Sequence, residues 1–119
     1  MDLYSEIILD HFKHPQNKGT LKKADKEAEE INTSCGDEIK VFIKLNKEDY
    51  IEKIMFEGQG CAISQATASM LTEKLLGKSK TQVLSLDIDY IKSILKVPIG
   101  MGRIKCATLA LSAIKRALS

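Results

Sequence analysis

The sequence predicts an α+β fold, a three-stranded antiparallel sheet with helices packed on one side. Three observations carry this. Alternation at period two is clear where Ile39, Val41, Ile43 and Leu45 are interleaved with Lys40, Phe42 and Lys44. Short polar stretches separate the strand-like segments, and connections that short join antiparallel neighbours. Apolar residues at helical spacing lie on both sides of the strand region, near Leu3–Phe12 and from Ile104 to Leu118.

Taken in order, Asp2 can cap a first helix that runs to about His14, with Leu3, Tyr4, Ile7, Ile8, His11 and Phe12 on its apolar face. Pro15, Asn17 and Gly19 end it. His11 falls on the buried stripe, so a packed, hydrogen-bonded histidine is expected there rather than a ligand. His14 at the helix end suits the negative pole of the helix dipole. The charged segment 21–30 reads as a loop leading into a short edge strand over 28–33, where its charge discourages edge-to-edge pairing.

Asn32-Thr33-Ser34-Cys35-Gly36-Asp37 has the composition of a turn. The 39–45 strand, a polar turn at 46–49 and a strand over 50–57 then complete a meander. From Cys61 to about Leu76 the chain is helical, with small residues at Ala62, Ser64, Ala66, Thr67, Ala68 and Ser69 that allow close packing; Gly77 stops it. Two short helices follow, over 80–84 and from a cap at Asp87 to a point before Pro98. Gly100-Met101-Gly102 is a flexible break. The last helix carries Ile104, Ala107, Leu111, Ile114 and Leu118 on one face, with Cys106 one residue off that stripe.

The bulk numbers exclude several function classes. The 119 residues fit one domain, with 44% hydrophobic and 29% charged residues, as in a soluble globular protein. Net charge is only +2, with 18 basic residues interleaved among 16 acidic ones, and there is no Trp. Neither an electrostatic grip on nucleic acid nor a base-stacking platform is expected. No apolar run is long enough to cross a membrane and no signal peptide is evident, so a cytoplasmic location is expected. Thiols stay reduced there, and three cysteines cannot close into internal pairs.

The three cysteines are candidates for one site. Cys35 lies in a turn, Cys61 follows Gly58-Gln59-Gly60 at a strand-to-helix junction, and Cys106 lies near a helix start after a glycine break. None is placed mid-element on an apolar stripe, the usual position of a purely structural cysteine. A helix N-terminus favours the thiolate, the form that binds metal or attacks sulfur. Asp37, two residues past Cys35, can direct its carboxylate to the same side. Three thiolates and a carboxylate suit tetrahedral zinc, or an iron–sulfur cluster with one labile, oxygen-ligated corner. The spacing alone is not a strong metal signal, since no Cys-x-x-Cys pair is present.

These motifs resemble those of the U-type iron–sulfur cluster assembly family, comprising IscU, SufU and the N-terminal domain of NifU. The likeness runs through Leu3-Tyr4-Ser5, Asp10-His11-Phe12, Pro15, Asn17 and Gly19. It continues through Cys35-Gly36-Asp37, Gly58–Ser64, Ala68-Ser69 and Arg103-Ile104-Lys105-Cys106-Ala107. It implies a single NifU N-terminal-like domain over residues 1–119 with a SufE/NifU-like fold. It implies that Cys35, Asp37, Cys61 and Cys106 hold a transient [2Fe–2S] cluster or Zn2+. The implied partners are a cysteine desulfurase, which donates persulfide sulfur, and apo iron–sulfur proteins, which receive the cluster. Cys35 is the preferred persulfide acceptor because a turn residue moves more easily than a helical one; by the resemblance Cys106 competes for that role.

Two departures bear on subtype. Lys105 stands where IscU members have a histidine, as in SufU-like members. It either pairs with Asp37 or offsets cluster charge, or is an ordinary exposed helix lysine. The run Val97–Arg103 replaces the Leu-Pro-Pro-Val-Lys site of a dedicated Hsc-type chaperone, which argues against that partnership. SufU members usually carry an insertion between the second and third cysteines that this chain is too short to hold, and Thr33 replaces a common proline. The sequence thus falls between the subtypes: a cluster scaffold, or a zinc-dependent sulfurtransferase.

Overall fold

In a computed structural model the protein is described over residues 3–34, 36–96 and 100–119. Asp2, Cys35 and Pro98, each assigned a role above, lie outside the described residues. The elements are α1 (Leu3–Lys13), β1 (Lys26–Asn32), β2 (Asp37–Leu45), β3 (Ile51–Gln59), α2 (Ala62–Lys74), α3 (Lys80–Leu84), α4 (Ile88–Leu95), a 3-10 turn over Met101–Arg103, and α5 (Ile104–Leu118).

The strands form the expected antiparallel meander in the order β1-β2-β3. Register pairs Ala28 with Val41 and Val41 with Phe56, so one row of side chains crosses all three strands on one face. That inner face carries Ile39, Val41, Ile43, Ile54 and Phe56, all essentially inaccessible to solvent, and it is covered by α2 and α5. Phe42 points to the other face yet is also buried, with the Lys40 ammonium 5.2 Å from its ring centre.

The two sheet edges differ. Along β3 the backbone is capped by two loops: Gly19 N–H donates to Phe56 O at 2.7 Å, Phe56 N–H to Asn17 O at 3.0 Å, and Ile51 N–H to Lys78 O at 2.8 Å. The outer edge of β1 bears Lys26, Glu27, Glu29 and Glu30, the charge expected of a protected edge. β1 begins at Lys26, two residues ahead of the sequence expectation, because its pairing with β2 extends that far.

Helix α2 is buried on nearly every side from Ile63 to Thr72. Its small residues permit this, and its hydroxyls are satisfied. Thr67 donates to Ile63 O at 2.7 Å, and Ser69 Oγ receives Gln16 N–H at 2.7 Å and contacts His11 Nδ1 at 2.8 Å. His11 is therefore the hydrogen-bonded boundary histidine expected, tying α1 to α2. Ser79 and Gln82 form a reciprocal capping box on α3, and the Asp87 carboxylate accepts Asp89 N–H at 3.0 Å to start α4.

The last helix departs from expectation in one respect. Its buried arc is wider than the stripe through Ala107, Leu111, Ile114 and Leu118, and includes Cys106, Leu109, Ala110, Ala113 and Ala117. Helix α5 packs on the sheet and also against α2, so two of its flanks are covered. Cys106 is consequently a core residue, 4% exposed, rather than one set off the apolar face.

Candidate metal centre

The site forms where the ends of three elements meet. β2 begins at Asp37, whose side chain turns to the inner face and is fully buried. β3 ends at Gln59, and Gly60 carries the chain into α2, for which Cys61 is the N-cap in extended conformation. Cys106 projects from the first turn of α5.

Both glycines of the junction are required by close approach. Gly58 has φ +152°, and a Cβ there would run into the carbonyl of Glu38. Gly60 has φ +147°, and a Cβ there would overlap Oδ1 of Asp37. With the glycine in place, Asp37 Oδ1 accepts the backbone N–H of Cys61 at 2.8 Å, and Cys61 Sγ lies 3.8 Å from Oδ2. The cap of α2 has no side-chain hydrogen bond of its own and no acidic residue follows in its first turn. Asp37 supplies the negative charge that the positive end of this helix favours.

One ligand atom from each of Asp37, Cys61 and Cys106 lies within 4.8 Å of the other two. Donors around a tetrahedral zinc sit about 3.5–4 Å apart, so a small contraction would place all three on one ion. The set mixes two soft thiols with one hard carboxylate, which accepts zinc or iron. The thiols differ in access: Cys61 is exposed and Cys106 buried. Beside them is a cleft of about 320 Å3 lined by Cys61, Ala62, Ile63, Gly102, Arg103 and Cys106.

Three of the four expected ligands are thus brought together, and the fourth, Cys35, lies outside the described residues. Lys105 is exposed and lines a separate groove between β1 and α5 with Asn32, Ser34 and Thr108; it makes no ion pair with Asp37. Sequence reasoning missed the steric role of Gly60 toward Asp37, since a glycine pair signals only a turn. It also missed Arg103, whose place in the cleft depends on how α5 docks.

A small antiparallel sheet backed by helices, presenting two thiols and a buried carboxylate at one end, defines an α+β protein with a candidate metal site. Comparison with known proteins gives the family: residues 3–119 match the NifU-like N terminal domain, and the chain belongs to that family. It is 36% identical to the zinc-dependent sulfurtransferase SufU of Bacillus subtilis, covering 98% of this chain and 90% of that protein. It is 34% identical to the iron-sulfur cluster assembly scaffold protein IscU of Escherichia coli K12, covering 98% and 91%. The SufU alignment extends over 137 positions and the IscU alignment over 119, so SufU carries residues this chain lacks.

Solved structures agree on the fold. FiSufU from Fervidobacterium islandicum AW-1 superposes with a TM-score of 0.79 at 29% identity, over 98% of this chain and 96% of that one. The N-terminal part of a NifU-like protein from Brucella abortus gives 0.80 at 20% identity, over 98% and 92%.

Proposed function

We propose that this protein is an iron–sulfur cluster assembly scaffold. It would receive sulfur from a cysteine desulfurase, hold a labile [2Fe–2S] cluster on Cys35, Asp37, Cys61 and Cys106, and pass it to apo-proteins. The observation that carries the reading is the convergence of Asp37, Cys61 and Cys106 within 4.8 Å from three separate elements. In sulfur transfer, an acceptor thiolate attacks the outer sulfur of the desulfurase persulfide. A new S–S bond forms, the old one breaks, and the desulfurase leaves as a thiolate with no net redox change. Cys35 is the assigned acceptor, with Cys106 as its competitor. A carboxylate among thiolates is the harder, weaker ligand for iron and marks Asp37 as the exchangeable corner.

The likeness to the Bacillus SufU supports a second reading, in which the same four residues hold zinc and Cys35 leaves the metal to accept persulfide. One preparation separates the two. After anaerobic purification and metal analysis, the protein is incubated with a cysteine desulfurase, cysteine and ferrous iron. Growth of visible cluster absorbance is expected of the scaffold. A zinc-loaded protein that acquires and passes on persulfide without ever developing that absorbance supports the transferase instead. Asp37→Ala is expected to slow cluster transfer to an apo-acceptor; unchanged release removes Asp37 from the exchangeable position.

A further inference from the structure

Asp37 has a neighbour in the sheet whose function is unassigned. Its register partner in β1 is Asn32, so the two side chains leave the sheet on the same face, side by side. Both are buried, Asp37 fully and Asn32 to 8% exposure. Asn32 Oδ1 accepts Ser34 N–H at 3.2 Å, an Asx-type contact that shapes the turn. Its Nδ2 is sealed from solvent and has no hydrogen-bond partner among the described residues. A buried donor without an acceptor therefore lies beside a buried carboxylate that has acceptor capacity to spare. Oδ1 of Asp37 takes one N–H, from Cys61, and an ionised carboxyl offers about four acceptor positions.

We propose that Asn32 is a positioning residue for Asp37. When metal is held, Nδ2 of Asn32 donates to the oxygen that also receives the Cys61 N–H, which leaves the other oxygen directed at the metal. A donor at the flank of the carboxylate fixes its orientation and keeps Oδ2 on the side of Cys61 Sγ, 3.8 Å away. Such outer-shell donors orient ligating carboxylates, and their removal typically weakens metal binding 10–100-fold.

This inference rests on the metal-centre reading above, and its test separates the two. The zinc-loaded 119-residue chain is challenged with a chromophoric chelator and the zinc release rate measured for wild type, Asn32→Ala, Asp37→Ala and the double variant. Asn32→Ala is expected to release zinc about 10-fold faster or more in the wild-type background, and to change the rate less than about twofold once Asp37 is gone. Asn32→Asp keeps the oxygen that holds Ser34 but replaces the donor with a second carboxylate; it should release zinc at least as fast and shift the ligand-field bands of the cobalt-substituted protein. Thermal melting of the metal-free variants checks that each folds, and Asn32→Asp carries the test if Asn32→Ala does not. Equal acceleration by Asn32→Ala in both backgrounds, or unchanged cobalt bands in Asn32→Asp, overturns the positioning role and leaves the metal centre standing. A wild-type chain that holds no zinc or cobalt overturns both.

Discussion

The Cβ that Gly60 lacks would overlap Asp37 Oδ1. The carboxylate of one strand and the bare backbone of the next therefore form a single steric arrangement, and the N-terminus of α2 is held by it. Gly60→Ala must either displace the carboxylate or bend the junction, and it also forces a side chain into φ +147°. The expected outcome is a loss of about 2–4 kcal/mol in chemical denaturation, together with loss of metal affinity. Gly102→Ala, with nothing within 4 Å of the added carbon, should change stability little and serves as the control.

Asp37 has a structural task separable from metal binding. Replacing it with Ala leaves the Cys61 N–H without its acceptor in a part-buried site. The metal-free protein should lose about 1–3 kcal/mol. Asp37→Asn keeps an oxygen for that N–H while removing the charge, so it should retain most of the stability yet bind zinc more weakly. Paired urea titrations and zinc competition on the two variants check this; equal destabilisation by both would show that charge at the helix end, not the hydrogen bond, is what matters.

The two described thiols should react at different rates. In metal-free protein, iodoacetamide is expected to modify the exposed Cys61 well before the buried Cys106, as read by peptide mass spectrometry in a Cys35→Ser background. Zinc should protect both. Rapid labelling of Cys106 while the fold is intact would mean that the first turn of α5 opens readily.

Ser69 joins α1 and the loop after it to α2. Ser69→Ala removes the acceptor of Gln16 N–H and the partner of His11 Nδ1 together. A loss of about 1–2 kcal/mol is expected, with the zinc release rate unchanged because the contact lies well away from Cys61 along α2. Denaturation and chelator competition on the same sample measure both quantities.

The sequence was informative wherever a local rule governs. Alternation at Ile39–Leu45 located β2, the cap residue Asp87 located α4, and the stripe from Ala107 to Leu118 located α5. The convergence of Asp37, Cys61 and Cys106 was legible only in part. Their positions at element ends suggested it, but bringing them together depends on the register of β2 with β3 and on how α5 docks. Neither is written in any short window. The burial of Cys106 was misjudged for the same reason: one-face periodicity describes a helix against one layer, whereas α5 is covered on two flanks. Gly60 and Asn32 acquire their roles only through cross-strand neighbours, which a linear reading does not supply.

The β2, α2 and α5 donors are far apart along the chain and meet only when the last helix is seated against the sheet. An ion held by all three would therefore act as a clasp on tertiary structure, resisting any excursion in which α5 lifts away while the strands remain paired. Amide hydrogen exchange should show this as added protection concentrated in α5 and the α2 N-terminus on metal loading. Conversely, drawing α5 outward would take Cys106 out of the donor set and weaken the hold on the ion. Release of a bound ion would then be a question of helix docking as much as of ligand chemistry.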